Sequence, residues 1–186
     1  MEHEPHNPMP GPARETVDVS YVVPIYNEAE ALPHLVSALR AVCDRVQARH
    51  SLEVVLVDDG SRDDSWQQIA AAAQSDARIV GIRLARNFGH QAALTCGYHC
   101  ARGRAVICLD ADLQDPPEVT LRMIEAWEQG ADVVFAVRTV RPGETRFKLA
   151  TANVFYWLIE KLGNIRSPRN TGDFRLLNRR ALDALN

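Results

Sequence analysis

The chain has 186 residues, 46% of them hydrophobic and 24% charged, with a net charge of −3 at neutral pH. That length and balance fit one soluble globular domain with material for a sizeable core, and they exclude a collagenous, low-complexity or strongly basic chain. Without a basic footprint, nucleic acid is not the expected partner.

The first sixteen residues, MEHEPHNPMPGPARET, lack the basic and apolar regions of a signal peptide. Their prolines and polar side chains predict a disordered leader over 1–16. One domain is expected over 17–186. It opens with an apolar strand, VDVSYVVPIY, and Glu28 to about Arg49 carries helical spacing at Leu32, Leu35, Val36, Leu39, Val42 and Val46. LEVVLVDDGS reads as a second strand ending in acids, DDSWQQIAAAAQ as a helix, and RIVGIRLA as a third strand. GHQAALTCGYHCARG is a further helix with Gly103 as its terminating glycine. AVICLD is a fourth strand, Glu118 to Gln129 a helix, and ADVVFAVR a fifth strand. Continuous apolar strands alternating with helices imply an α/β, Rossmann-like fold, its mostly parallel sheet covered by helices on both faces. No run approaches the roughly 18 apolar residues that span a bilayer.

In such sheets, ligands bind beyond the carboxyl ends of the strands. Polar clusters fall there: PIYNE after the first strand, DDGS after the second, ARNFG after the third and DADLQD after the fourth. There is no GxxxxGK[ST] loop, and no GxGxxG follows the first strand, so phosphates must be handled otherwise, best by a metal. Asp110-Ala111-Asp112 sets two carboxylates two residues apart, and in extended chain both point to one side. Gln114 continues the alternation and would add a neutral oxygen or orient a ligand. These donors suit Mg²⁺ or Mn²⁺, which takes one or two carboxylates together with substrate phosphate oxygens. The plainer reading is a solvated loop in which Asp115 caps the helix behind Pro116 and Pro117.

The four cysteines, Cys43, Cys96, Cys100 and Cys108, form no CxxC pair and have no histidine spacing suited to zinc. They read as reduced thiols, which fits a cytosolic setting. His90 and His99, on the helix after the third strand, read as structural.

Taken in order, VVPIYNEAEALP, VDDGSRDDS, LARNFGHQAALTCGYHCARG and CLDADLQDPPE resemble the family 2 glycosyltransferases with a GT-A fold. More closely they resemble the polyprenyl-phosphate group that contains bactoprenol glucosyltransferase and dolichol-phosphate mannose synthase. GETRFK and TGDFRLLNRRALDAL extend the likeness, which runs from about Val19 to Asn186. The resemblance implies that Pro24, Tyr26 and Glu28 hold a nucleoside, and that Asp58 and Asp59 contribute to base and ribose recognition. It implies that Asp110 and Asp112, with Gln114, bind Mg²⁺ or Mn²⁺ at the diphosphate, which also brings Asp110 to the nucleotide. The implied reaction is inverting transfer of a sugar from a nucleotide donor to a polyprenyl phosphate. Asp173 matches an acid proposed as the base in relatives, and with Asp112 it is the catalytic candidate. The motifs lean toward UDP-glucose and undecaprenyl (bactoprenol) phosphate. The alternatives are GDP-mannose with a dolichol-type acceptor, another nucleotide sugar such as UDP-GlcNAc or an aminoarabinose donor, or a nucleotide-sugar-binding module without turnover.

Two anionic substrates call for cations. Arg138, Arg141, Arg146 and Lys148 cluster in VRTVRPGETRFK and are candidates for holding the diphosphate and acceptor phosphate; Arg175, beside Asp173, either does the same or neutralises that acid. RFKLATANVFYWLIEKLGN reads as an amphipathic helix whose aromatic residues either join the core or, on an enzyme of this group, lie at a membrane interface. The expected location is therefore cytoplasmic, at the inner face of the cytoplasmic membrane. A homo-oligomer is allowed, since membrane-associated relatives often assemble. Relatives of the small glucosyltransferase type continue into interfacial and two transmembrane helices, and this chain is expected to stop before that extension.

Overall fold

The computed structural model describes residues 17–136 and 173–185. The leader, the cationic candidates Arg138, Arg141, Arg146 and Lys148, and the aromatic segment 146–164 lie outside the described residues.

The β-branched runs form the strands. β1 is Val17–Ile25, β2 Leu52–Asp58, β3 Ile79–Arg83, β4 Gly103–Cys108 and β5 Val133–Phe135. Between them lie α1 (Leu32–Val46), α2 (Ser65–Ser75), α3 (His90–Cys100) and α4 (Val119–Glu128). A sixth strand, β6 (Arg175–Asn178), and a short helix, α5 (Arg179–Asp183), complete the described chain. The sheet order is β3-β2-β1-β4-β6-β5. β1 pairs in parallel with β2 and β4, and β2 with β3. β6 runs antiparallel between β4 and β5.

Alternating side chains of the central strands feed two cores. Tyr21, Val23, Leu56 and Ile107 pack on α1, α2 and α4 through Leu35, Leu39, Ile69, Met123 and Ile124. Val22, Val57, Val106 and Cys108 face the other way, toward Leu94 and Tyr98 of α3 and Leu182 of α5. Helices therefore cover both faces, as the unbroken apolar strands predict. Leu39 is 2% exposed, and its truncation to Ala would cost about 2–5 kcal/mol.

Several local expectations are corrected. α1 starts at Leu32 rather than Glu28. Asn27 adopts a left-handed φ of 55°, which breaks the helical pattern, and Pro33 belongs in a first turn because it lacks an N–H. Gly103 does not end a helix. α3 stops at Cys100, and Gly103 opens β4, where its N–H donates to Ser20 Oγ at 2.7 Å. A Cβ there would meet the Ser20 nitrogen at 2.6 Å, so glycine is required by close approach. Asp115 does not cap α4; the helix begins at Val119 with Glu118 at the cap position. β6 carries no strand-length apolar run, since it is only four residues long, and its place in the sheet comes from pairing with β4.

The topology locates a cleft. From β1 the chain winds outward to β2 and β3, then α3 returns it to the other side of β1, where β4 lies. The connections diverge between β1 and β4, and a crevice opens outside the carboxyl ends of these two strands.

Candidate active site

A cleft of about 280 Å³ occupies that crevice. Pro24, Ile25, Tyr26 and Glu28 line it from the end of β1, Asp59 from β2, Asn87 from the β3–α3 loop, His90 and Ala93 from α3, and Asp110, Ala111 and Asp112 from the end of β4. Six of the sequence candidates thus converge: Pro24, Tyr26, Glu28, Asp59, Asp110 and Asp112. Tyr26 is 40% exposed, so much of its ring is accessible from solvent.

The loop after β1 is held by the loop after β2. Asn27 N–H donates to Ser61 Oγ at 2.9 Å, Glu28 N–H to Ser65 Oγ at 3.0 Å, and Ala29 N–H to Asp63 Oδ2 at 3.0 Å. Arg62 N–H returns a bond to Asn27 Oδ1 at 2.8 Å, and Gln68 Nε2 donates to the Ala29 carbonyl at 3.0 Å. The polar residues of GSRDDS therefore act as a clamp on the backbone that carries Tyr26 and Glu28. Gly60, at φ 70°, makes the turn that leads into the clamp.

The two acids of DDGS separate. Asp59 lines the cleft, and both its oxygens accept backbone N–H groups, from Phe88 at 2.8 Å and Gly89 at 2.9 Å. Asp58 has no exposed surface and does not line the cleft. Its Oδ1 accepts the Ser61 N–H at 3.0 Å, and its Oδ2 lies 3.4 Å from Arg83 Nε. In this geometry direct contact of Asp58 with a base or ribose is replaced by support of the turn beneath.

Asp110 and Asp112 do not lie in extended chain as expected. β4 ends at Cys108, and a turn carries them into the cleft, with Leu113 at a left-handed φ of 56°. That conformation is costly for a non-glycine residue and is held by the surrounding bonds. Gln114 Nε2 donates to Asp112 Oδ2 at 2.6 Å and its N–H to Oδ1 at 3.1 Å. Of the two roles considered for Gln114, this geometry has it orienting Asp112.

The site is rich in negative charge. Burial, then repulsion from Asp112, Asp173 and Asp115, pushes Asp110 above the usual carboxylate range against the pull of His90. Burial, then the charges of Asp112 and Asp63, does the same to Glu28. Carboxylates gathered against their mutual repulsion form a place that gains from a cation. Among the described residues, no three His, Cys, Asp or Glu side chains form a ready-made metal cage. The donor set fits Mg²⁺ or Mn²⁺, hard ions that complete their shells with water and phosphate oxygens.

His90, read from the sequence as structural, lines the cleft. Its Nε2 lies 3.0 Å from Asp173 Oδ2 and 4.0 Å from Asp110 Oδ1. Asp173, just before β6, also has Arg175 Nη2 3.9 Å from its Oδ1. No spacing rule links positions 90 and 173; the only available signal was that His90 opens the helix after a polar strand end. No helix among the described residues is long and apolar enough to cross a membrane. The cysteines are free, with Cys43 and Cys108 buried, and burial pushes the Cys108 thiol up to about 12.

Known proteins resemble this chain in sequence and in fold. The profile of glycosyl transferase family 2 matches residues 20–185. The uncharacterized glycosyltransferase YkcC of Bacillus subtilis is 44% identical over 169 residues, covering 91% of this chain and 52% of the relative. The prophage bactoprenol glucosyl transferase homolog of Escherichia coli is 42% identical over 161 residues, covering 87% and 52%. The chain spans about half the length of these relatives. Among solved structures, Staphylococcus aureus TarS 1–349 in complex with UDP superposes with a TM-score of 0.55 at 26% identity, covering 69% of this chain and 37% of TarS. The mannosyltransferase PcManGT of Pyrobaculum calidifontis, solved with GDP-Man and Mn²⁺, gives 0.64 at 23% identity, covering 92% and 47%. That likeness shows the shared GT-A fold.

Proposed function

Because this chain belongs to glycosyl transferase family 2, we propose that it forms the donor-binding part of an inverting enzyme that transfers glucose from UDP-glucose to undecaprenyl phosphate. The observation that carries this reading is the convergence of Tyr26 and Glu28 after β1 with Asp110 and Asp112 after β4 in one cleft. The glucosyl and bactoprenol terms in the Escherichia coli relative's name support the sugar and the acceptor, and the UDP bound to TarS supports the base.

In this reading Pro24 and Tyr26 receive the base, and Glu28 and Asp59 face the ribose. Asp58 acts through the turn. Asp110 and Asp112, the latter steadied by Gln114, would hold Mg²⁺ or Mn²⁺. Such an ion neutralises the charge that develops on a diphosphate leaving group. The acceptor phosphate monoester has a second pKa of about 6 and is largely a dianion at cytosolic pH, so it is a competent nucleophile without a strong base. Asp173 stands at the reaction centre, taking either the remaining acceptor proton or a sugar hydroxyl. Arg175, with Arg138, Arg141, Arg146 and Lys148 outside the described residues, supplies cations for the two phosphates. The protein would act at the inner face of the cytoplasmic membrane, where its acceptor lies, and a homo-oligomer is compatible with this.

Calorimetry with UDP and GDP tests the donor site. UDP binding with Mn²⁺, lost with EDTA and in Asp112→Asn, is expected. Preference for GDP would shift the donor to a mannosyl type, and no binding of either nucleotide by folded protein would sink the reading. Transfer of labelled glucose to undecaprenyl phosphate then separates an enzyme from a binding module.

A further inference from the structure

We infer that His90 is the positioning residue of Asp173, holding that carboxylate against the wall of the cleft through its Nε2–H. The inference deepens the proposed function and rests on its placing of Asp173 at the reaction centre. Asp173 precedes β6, outside the β4–β6 ladder, whose last pair is Cys108 with Arg175. The orientation of its side chain is therefore set by its own contacts. Among the described residues, His90 Nε2 lies 3.0 Å from one oxygen and Arg175 Nη2 3.9 Å from the other.

The position of His90 is itself well determined. It is the first residue of α3, and the two N–H groups just before it are anchored on Asp59. Ala93, Leu94 and Tyr98 pin the same helix to the sheet. A carboxylate oxygen accepts and an imidazole N–H donates, so the contact as we read it runs from His90 Nε2–H to Asp173 Oδ2. A rigid helix thus lends its register to an acid that arrives from a distant strand. Misplacing a reacting group by about 1 Å can cost on the order of 100-fold in rate. Removal of His90 should therefore act more strongly on turnover than on donor affinity.

The experiment compares His90→Ala, His90→Gln, Asp173→Asn and the double variant His90→Ala/Asp173→Asn in the full chain. Transfer from UDP-glucose to undecaprenyl phosphate is followed, and UDP affinity with Mn²⁺ is measured by calorimetry. In His90→Ala, kcat should fall roughly 10-fold or more, and by a larger factor than UDP affinity or donor KM, which His90 touches only as part of the cleft wall. His90→Gln, whose amide can donate from the Nε2 position, should recover much of the loss. In the Asp173→Asn background, His90→Ala should cost nothing further. NMR of the His90 ring is independent of turnover: the wild type should show the Nε2–H tautomer, and Asp173→Asn should shift the tautomer balance. Additive kinetic losses, no recovery by Gln, or a ring unaffected by Asp173→Asn would overturn the inference alone. Wild-type transfer by Asp173→Asn would instead remove the reading of Asp173 and this inference with it.

Discussion

Asp59 fastens the entry of α3 by accepting the Gly89 N–H at Oδ2, 2.9 Å away, while Oδ1 takes the neighbouring Phe88 N–H. Asp59 is 2% exposed, so these bonds offset the cost of burying its carboxylate. Asp59→Ala leaves two donors behind and should destabilise the fold by about 1–3 kcal/mol. A lowered urea midpoint with unchanged slope checks this, and nucleotide binding should weaken in parallel because α3 and Asn87 lose their anchor.

The clamp on the β1–α1 loop predicts a different signature. Asp63 is partly buried, which opposes its charge, but bonds from Ser65 and Ala29 outweigh that effect and hold it below the usual carboxylate range. Asp63→Ala and Ser65→Ala free the backbone beneath Tyr26 and Glu28 without touching the acids of the β4 turn. Each should weaken UDP binding several-fold at a stability cost of about 1 kcal/mol. Calorimetry beside thermal melting separates the two effects, and unchanged affinity would remove the clamp from donor binding.

Asp110 sits among Asp112, Asp173 and Asp115, with burial and repulsion raising its pKa. A carboxylate raised in this way destabilises the fold when it is charged at neutral pH. Asp110→Asn should therefore raise the melting temperature in metal-free buffer while abolishing Mn²⁺-dependent UDP binding. A lowered melting temperature would show that the carboxylate is structural.

Far from the cleft, bonds from Arg78 hold Asp76 down to about 2. Its contribution to stability is fully present above the unfolded carboxylate value of about 3.9 and is lost as pH falls toward 2. Asp76→Asn should thus lose less stability than wild type across that window, measured by urea unfolding at successive pH values. Equal losses would mean that Arg78 pairs as well in the unfolded chain.

Much of the fold was legible because burial on two faces forces continuous apolar runs, and these mark β1, β2 and β4 within a few residues. Glu28, by contrast, was read into α1 because its spacing was compatible, whereas the left-handed Asn27 and the clamp keep it in a loop. Gly103 was read as a helix stop, because a glycine required by close backbone approach looks the same in sequence as one required by a turn. β6 escaped because four residues offer too short a pattern, and its antiparallel place is decided by pairing with β4.

The sequence by itself determined the alternation of strands and helices, the acids at the strand ends and the family, since each is written in local spacing and motif order. Only the tertiary structure decided which acids face the cleft. Asp58 and Asp59 are adjacent, yet one is sealed beneath the turn and the other lines the wall, because successive residues leave a strand end in different directions. The structure alone brings His90 to Asp173, 83 positions apart, through a helix packed on one face of the sheet and a strand returning antiparallel along β4. Such a meeting depends on how distant elements pack, and no local pattern encodes it.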